Sequence, residues 1–393
     1  MRHRQAVHGQ RRAGLPDEQR ARHGRAGGQR RRRELRHALV MALSLPSRAA
    51  ALATRTRFVG RRAAARHYNF GSSEYLACFG DLPVPDGARL RRDAVAYVEG
   101  FDGGAWRADP ATTLVGDRAL TDGDLFDTFD AFGDVNGAAR AATAAELRAL
   151  AAHVAAWDGP RDGRGPARAA EAHLFGAGAA RLIGDQALDF QKQDGVTEIE
   201  ESLQASAVER RLTDALLADE AAGRVVVSRA PVFVACVSNF SNFLDLSRKA
   251  LRSLDVGAPV VVLSRASGVS TQHGYRWAAA LREALAARGG DRGAVSYACC
   301  GLEQQLALMA AFPEGPLHIT CGRGAARAAV AARANVVAST GGPNTLWAPA
   351  WTPEVAGAVA ASAAIEHAGQ CTALRRARIK SSTRLQWARV RMF

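Results

Sequence analysis

A doubly wound, mostly parallel α/β sheet is the fold class that this 393-residue sequence predicts for its middle. Three observations carry the expectation. Short runs rich in apolar and β-branched residues recur at 231–237, 258–263, 295–299, 317–320 and 335–338, as strands of a buried sheet require. Helical periodicity fills the intervals at 244–254, 275–288 and 325–333. Turn residues such as Gly289-Gly290 separate the two kinds of segment. Strands alternating with helices build parallel sheets, and such sheets hold ligands beyond the carboxyl ends of their strands.

The chain begins very differently. Residues 1–66 carry 18 arginines against three acidic groups. Residues 1–40 are rich in Arg, Gly and Gln and poor in apolar side chains, a composition that predicts a solvated, disordered segment. A nucleic-acid arm would interleave aromatic residues among the arginines, and none occurs there, so no nucleic-acid partner is expected. From Met41 to Arg66 there are six arginines, small hydroxyl residues, and no acid before Glu74. That is the composition of a mitochondrial presequence, which places the protein in the mitochondrial matrix, with the cytoplasm as the alternative.

Residues 67–166 form an acidic, mixed region in which the sequence shows no chemistry. Asp117, Asp122, Asp124, Asp127 and Asp130 lack the D-x-[DN]-x-[DN]-G order of a calcium loop, so helix caps and a wet face are expected of them, and no metal. Thr143 and Glu146 are spaced as a capping box ahead of an alanine-rich helix reaching about Trp157. Residues 162–166, Asp-Gly-Arg-Gly-Pro, read as a linker. Helices are predicted in 167–182 and 199–220, and a first strand at 224–228.

Charge and cysteine content narrow the function. Residues 67–374 hold 27 basic and 35 acidic groups, so the folded body is mildly acidic although the whole chain is +14. No run of 18 apolar residues occurs, and no membrane span is expected. The six cysteines contain no C-x-x-C pair and no zinc-ligand spacing, which suits a reduced compartment.

Three short motifs remain, in order. Asn239-Phe240 follows the 231–237 run, Ser339-Thr340-Gly341-Gly342-Pro343-Asn344 follows 335–338, and Gly369-Gln370-Cys371-Thr372-Ala373 comes last. A cysteine at such a glycine turn can serve as a thiolate nucleophile, or be an inert thiol. Together the motifs resemble those of the aldehyde dehydrogenase superfamily, whose members carry Asn-Phe or Asn-Tyr, Glu-Leu-Gly-Gly-Lys and Gly-Gln-x-Cys. The resemblance covers about 185–378. It implies a dinucleotide-binding domain over 167–338 and the start of a catalytic domain over 339–378, incomplete by the family's measure, with a basic tail at 379–393.

The resemblance also assigns roles. Cys371 would attack a small-molecule aldehyde, the turn being one residue shorter than the family's. Asn239, or its repeat Asn242, would donate to the oxyanion. NAD or NADP would be oxidant, held by Ser264 or Arg265 where the family has a ribose-binding lysine, by Gly322 and Gly324 at the phosphate turn, and by Gly341. Ser339 stands where the family places its general-base glutamate, and Glu366 is the nearest substitute carboxylate. The other open reading is a non-catalytic dinucleotide-binding or interaction protein. The expected assembly is a homo-oligomer, or a hetero-oligomer with a full-length relative.

A reporter protein fused behind residues 41–70 is expected to enter mitochondria. Imaging that finds it spread through the cytosol would remove the targeting assignment.

Overall fold

The computed structural model describes residues 86–101, 109–130, 133–190, 195–235, 242–266, 271–340, 345–364, 376–379 and 386–389. The 1–66 segment, Asn239, Gly341 and Cys371 lie outside them. So does the side chain of Asn242.

Seven strands form the central sheet: β1 (Thr113–Val115), β2 (Arg118–Leu120), β5 (Val232–Ala235), β6 (Val260–Arg265), β7 (Val295–Cys300), β8 (Leu317–Cys321) and β9 (Val336–Thr340). Their spatial order is β2-β1-β7-β6-β5-β8-β9. The last five run parallel, with Phe233 of β5 paired to Val261 on one side and Leu317 on the other. β1 joins β7 antiparallel through Leu114 and Tyr297, and turns back into β2 at Gly116, whose φ of 54° favours glycine. The doubly wound, mostly parallel sheet that the sequence predicts is therefore present.

Both faces of the parallel core are largely apolar, which is why β5 and the first four residues of β6 read as continuous apolar runs. On one face Val232, Val234, Val260, Val262 and Tyr297 pack against α6 (Arg248–Asp255), α7 (Thr271–Ala286) and α3 (Arg164–Phe175). On the other, Phe233, Val261, Leu263, Ala298 and Leu317 meet α2 (Ala144–Ala155) and α8 (Leu302–Ala310). Further on, α9 (Arg323–Ala332) links β8 to β9. A three-stranded sheet follows, in which β10 (Thr345–Ala348) pairs parallel with β11 (Arg376–Ile379), and β11 antiparallel with β12 (Gln386–Arg389). Helix α10 (Pro353–Ala364) precedes β11.

Local signals decide several of these boundaries. α2 starts at the predicted capping box: the Thr143 hydroxyl accepts from Glu146 N, and the Glu146 carboxylate accepts from Thr143 N. Residues 162–166 are not a linker. Asp162 accepts from Arg164 N, and Gly163 lies so close to the end of α6 that a Cβ there would stand 2.1 Å from the Leu254 carbonyl oxygen. The 224–228 run is not a strand either. The salt bridge from Arg229 and the hydrogen bond from Val227 N, both to Glu220, fold it back on α5 (Gly195–Ala221), and Val226 is 95% exposed. The acidic stretch from Asp117 caps no helix. It runs through β1–β2 and β3 (Leu125–Phe129), and the Asp130 carboxylate accepts from Asp134 N in the turn to β4 (Val135–Arg140). Alternating runs this short gave no helical or strand period for the sequence to show.

A buried polar cluster ties that N-terminal part to the sheet. Asp185 and Asp189 on α4 (Ala179–Phe190) share Arg276 of α7, at 3.2 and 2.5 Å. Tyr97 of α1 (Gly87–Glu99) donates to Asp185 at 2.9 Å, and Asn136 of β4 donates to Asp189 at 2.6 Å. Burial pushes the Asp189 carboxyl up to about 6, with Arg276 opposing and Asp185 adding to the rise. Because folding raises this pKa above its unfolded value, the group favours the native state while protonated and loses that support as pH climbs through about 6. At 1.36 kcal/mol per pH unit, the loss is on the order of 3 kcal/mol. The stability of Asp189→Asn, measured by urea denaturation at pH 4.5 and 7, is expected to fall less across that interval than the parent's. Equal falls would clear Asp189 as the source.

Candidate functional site

The strand order fixes where a ligand fits. From β5 the chain winds outward through β6 and β7, then returns to the other side of β5 for β8 and β9. The reversal falls between β5 and β8, and in doubly wound sheets ligands bind beyond the carboxyl ends of the strands at such a point. Helix α9 starts at that edge directly after β8. Gly322 is its N-cap and makes no side-chain cap bond, so the first backbone N–H groups face outward. A Cβ on Gly322 or Gly324 would meet nothing within 4 Å, so packing does not demand glycine at either position; what glycine provides is a bare approach to the helix end. Arg323 and Arg327 are exposed in the first two turns. Their charges oppose the helix macrodipole, a conflict that a bound anion relieves.

The end of β6 gives the second wall. Arg265 is its exposed last residue, while Ser264 beside it is 1% exposed, with its hydroxyl enclosed in the sheet. Of the two ribose candidates, Arg265 alone reaches solvent. The Ser264 carbonyl accepts from Gln305 Nε2 at 2.9 Å, and the same amide donates to the Cys300 carbonyl at 3.2 Å. Gln305, on α8, thus locks the ends of β6 and β7 together. Lys249 of α6 donates to the Thr320 hydroxyl, joining that helix to the end of β8. The sequence showed neither link: each is one polar residue on an amphipathic helix whose partner lies more than 35 residues away.

The described thiols offer no nucleophile. Cys299 and Cys300 are buried in β7, and burial pushes the Cys300 thiol up to about 12. Cys321, half-buried at the end of β8, is also raised by burial, with the Lys249 charge pulling it back. At the end of β9, Ser339 and Thr340 are exposed and pair with Thr320 and Cys321. Gly322, Gly324 and Arg265 therefore share one edge. Cys371, Asn239 and Gly341 lie outside the described residues.

No family model matches this chain, and no curated protein matches it. Solved structures do. A 1-pyrroline-5-carboxylate dehydrogenase from Thermus, solved with bound NAD, superposes with a TM-score of 0.59 at 16% identity, over 76% of this chain and 62% of that one. HpcC from Thermus thermophilus gives 0.54 at 17%, over 75% and 58%. The Delta-pyrroline-5-carboxylate dehydrogenase of Mycobacterium tuberculosis bound with NAD and cobalamin gives 0.52 at 17%, over 76% and 60%. The chain has the aldehyde dehydrogenase fold. It spans about three fifths of the length of these three structures.

Iodoacetamide at pH 7.5 is expected to leave Cys299 and Cys300 unlabelled in the native chain and to reach both after denaturation, read by peptide mass spectrometry. Native labelling of either would show that the β7 edge opens.

Proposed function

We propose that this chain binds NAD or NADP along the carboxyl edge of its parallel sheet. There it oxidises a small aldehyde to the carboxylic acid, with Cys371 as nucleophile. The observation that carries the reading is the placement of Gly322, Gly324 and Arg265 on the carboxyl edge of a parallel sheet with the aldehyde dehydrogenase fold. The residues fit a dinucleotide. A bare helix N-terminus flanked by Arg323 and Arg327 suits a pyrophosphate, and the Arg265 guanidinium suits ribose hydroxyls or a 2′-phosphate.

Strand pairing supports the rest. Thr345 pairs with Arg376, so the chain that leaves the central sheet at Thr340 and the chain that follows Cys371 run into neighbouring parallel strands. Asn239 comes four residues after Ala235, the last residue of β5. In this reading the Cys371 thiolate adds to the carbonyl carbon while the Asn239 carboxamide donates to the resulting oxyanion. A bound nicotinamide supplies the hydride acceptor. Water then releases the acid from Cys371. The location proposed is the mitochondrial matrix, from residues 41–66.

One observation favours a second reading. Ser339 at the exposed end of β9 cannot take a proton from that water at neutral pH. A chain that keeps the cofactor edge without turnover would be a dinucleotide-binding or interaction protein, pairing with a full-length relative.

NAD at a hundredfold its Kd is expected to stabilise the chain by about 2.7 kcal/mol. Gly324→Glu sets a carboxylate in open space at the helix end and is expected to weaken NAD at least tenfold without lowering the melting temperature of the free chain. Aldehyde-dependent NADH formation abolished in Cys371→Ala supports the enzyme. An NAD shift with no turnover in the parent supports the binding protein, and no shift with either NAD or NADP removes both.

A further inference from the structure

The second strand of the winding ends on a cation. Arg265 closes β6, and its side chain is exposed. Arg168, Arg229, Arg248 and Arg252 each reach a carboxylate. Arg265 reaches none among the described residues. The sequence around it supplies none either. From Val256 to Arg282, through all of β6 and most of α7, there is no aspartate or glutamate. On the neighbouring strand, the first carboxylate past the end of β7 is Glu303, exposed in the first turn of α8 and not paired with Arg265. A doubly wound sheet that takes NAD sets a carboxylate at this strand end to accept from the ribose hydroxyls, and that carboxylate repels a 2′-phosphate. An arginine in its place attracts the phosphate, which its planar fork of donors fits.

The backbone on each side of this arginine is pinned. The Ser264 carbonyl accepts from Gln305 Nε2, Ala266 N donates to the Cys300 carbonyl at 3.2 Å, and Thr271 Oγ1 donates to the Arg265 carbonyl at 3.3 Å. The side chain therefore leaves from a fixed point between β7, α7 and α8, and less freedom is lost when it closes on a ligand. Its distance from the pyrophosphate site also suits one cofactor. β6 and β8 flank β5, so the ends of β6 and β8 stand two strand spacings apart, roughly 10 Å. Gly322 follows the last residue of β8. A ribose and an extended arginine side chain together bridge that gap, which puts a 5′-pyrophosphate at the start of α9 and a 2′-phosphate within reach of Arg265.

We infer that this chain selects NADP over NAD, and that Arg265 makes the choice by pairing with the 2′-phosphate. The inference rests on the cofactor site proposed above and names which of the two dinucleotides that site takes.

Isothermal titration of the full chain with NADP, NAD, adenosine 2′,5′-bisphosphate and 5′-AMP tests it. NADP is expected to bind at least tenfold tighter than NAD, and the bisphosphate at least tenfold tighter than 5′-AMP. Arg265→Ala is expected to bring both ratios below threefold, Arg265→Lys to leave intermediate ratios, and Arg265→Asp to invert the preference. The side chain is exposed, so the melting temperature of the free chain is expected to move by no more than about 2 °C in any of the three. Equal affinities for NADP and NAD in the parent, or a ratio that survives Arg265→Ala, would overturn the inference and leave the cofactor site standing. Binding of neither dinucleotide would remove the site and the inference with it.

Discussion

The handedness of the strand–helix–strand crossover governs this molecule. A right-twisted strand feeding a right-handed helix can return to a parallel neighbour only by a right-handed path. With β5 as origin, that rule sends α6 and α7 to one face and, once the winding reverses, α8 and α9 to the other. Every parallel strand then ends at the same edge, where helices begin. Backbone N–H groups and strand-end loops gather there without any side chain having specified it. Gly322 and Arg265 lie on this edge, on either side of the end of β5, because parallel strands must end together.

What holds the periphery to that sheet is a different interaction. Asp185 and Asp189 share Arg276 inside the protein, with Tyr97 donating to the Asp185 oxygen that faces the guanidinium and Asn136 to the second oxygen of Asp189. The cluster collects α1, β4, α4 and α7, elements spread over 180 residues. Burial is the main reason the Asp189 proton is held, with neighbouring Asp185 adding to the effect and Arg276 opposing it. Breaking one partner would leave an uncompensated charge in the interior, so the cluster specifies the docking geometry more than it adds stability.

The two ends of the sheet differ in chemistry. At the carboxyl edge Arg323, Arg327 and Arg265 are exposed around a bare helix terminus, an arrangement suited to a multiply charged phosphate. At the amino end the arginines are largely neutralised by Glu209, Glu171 and Asp255, in a cleft that Leu212 and Leu216 also line. Cations stand exposed at one end, and at the other are mostly paired within the protein itself.

The sequence by itself determined the parallel sheet, since strands covered on both faces must be largely apolar, as 231–237 and 258–263 are throughout and 295–299 is but for Ser296. It also determined the start of α2, because a capping box is complete within four residues. The glycines at 322 and 324 were legible as helix-start punctuation, which depends only on near neighbours. Tertiary structure alone decided the rest. The 224–228 run has the composition of a strand, but Glu220 pairs with Arg229 and leaves it no ladder partner. Ser264 and Arg265 are indistinguishable as neighbours in sequence; the pleat turns one into the sheet and the strand's end frees the other. Gln305, Lys249 and the Asp189 cluster act across separations of 41, 71 and 87 residues, and no local pattern encodes contacts at that range.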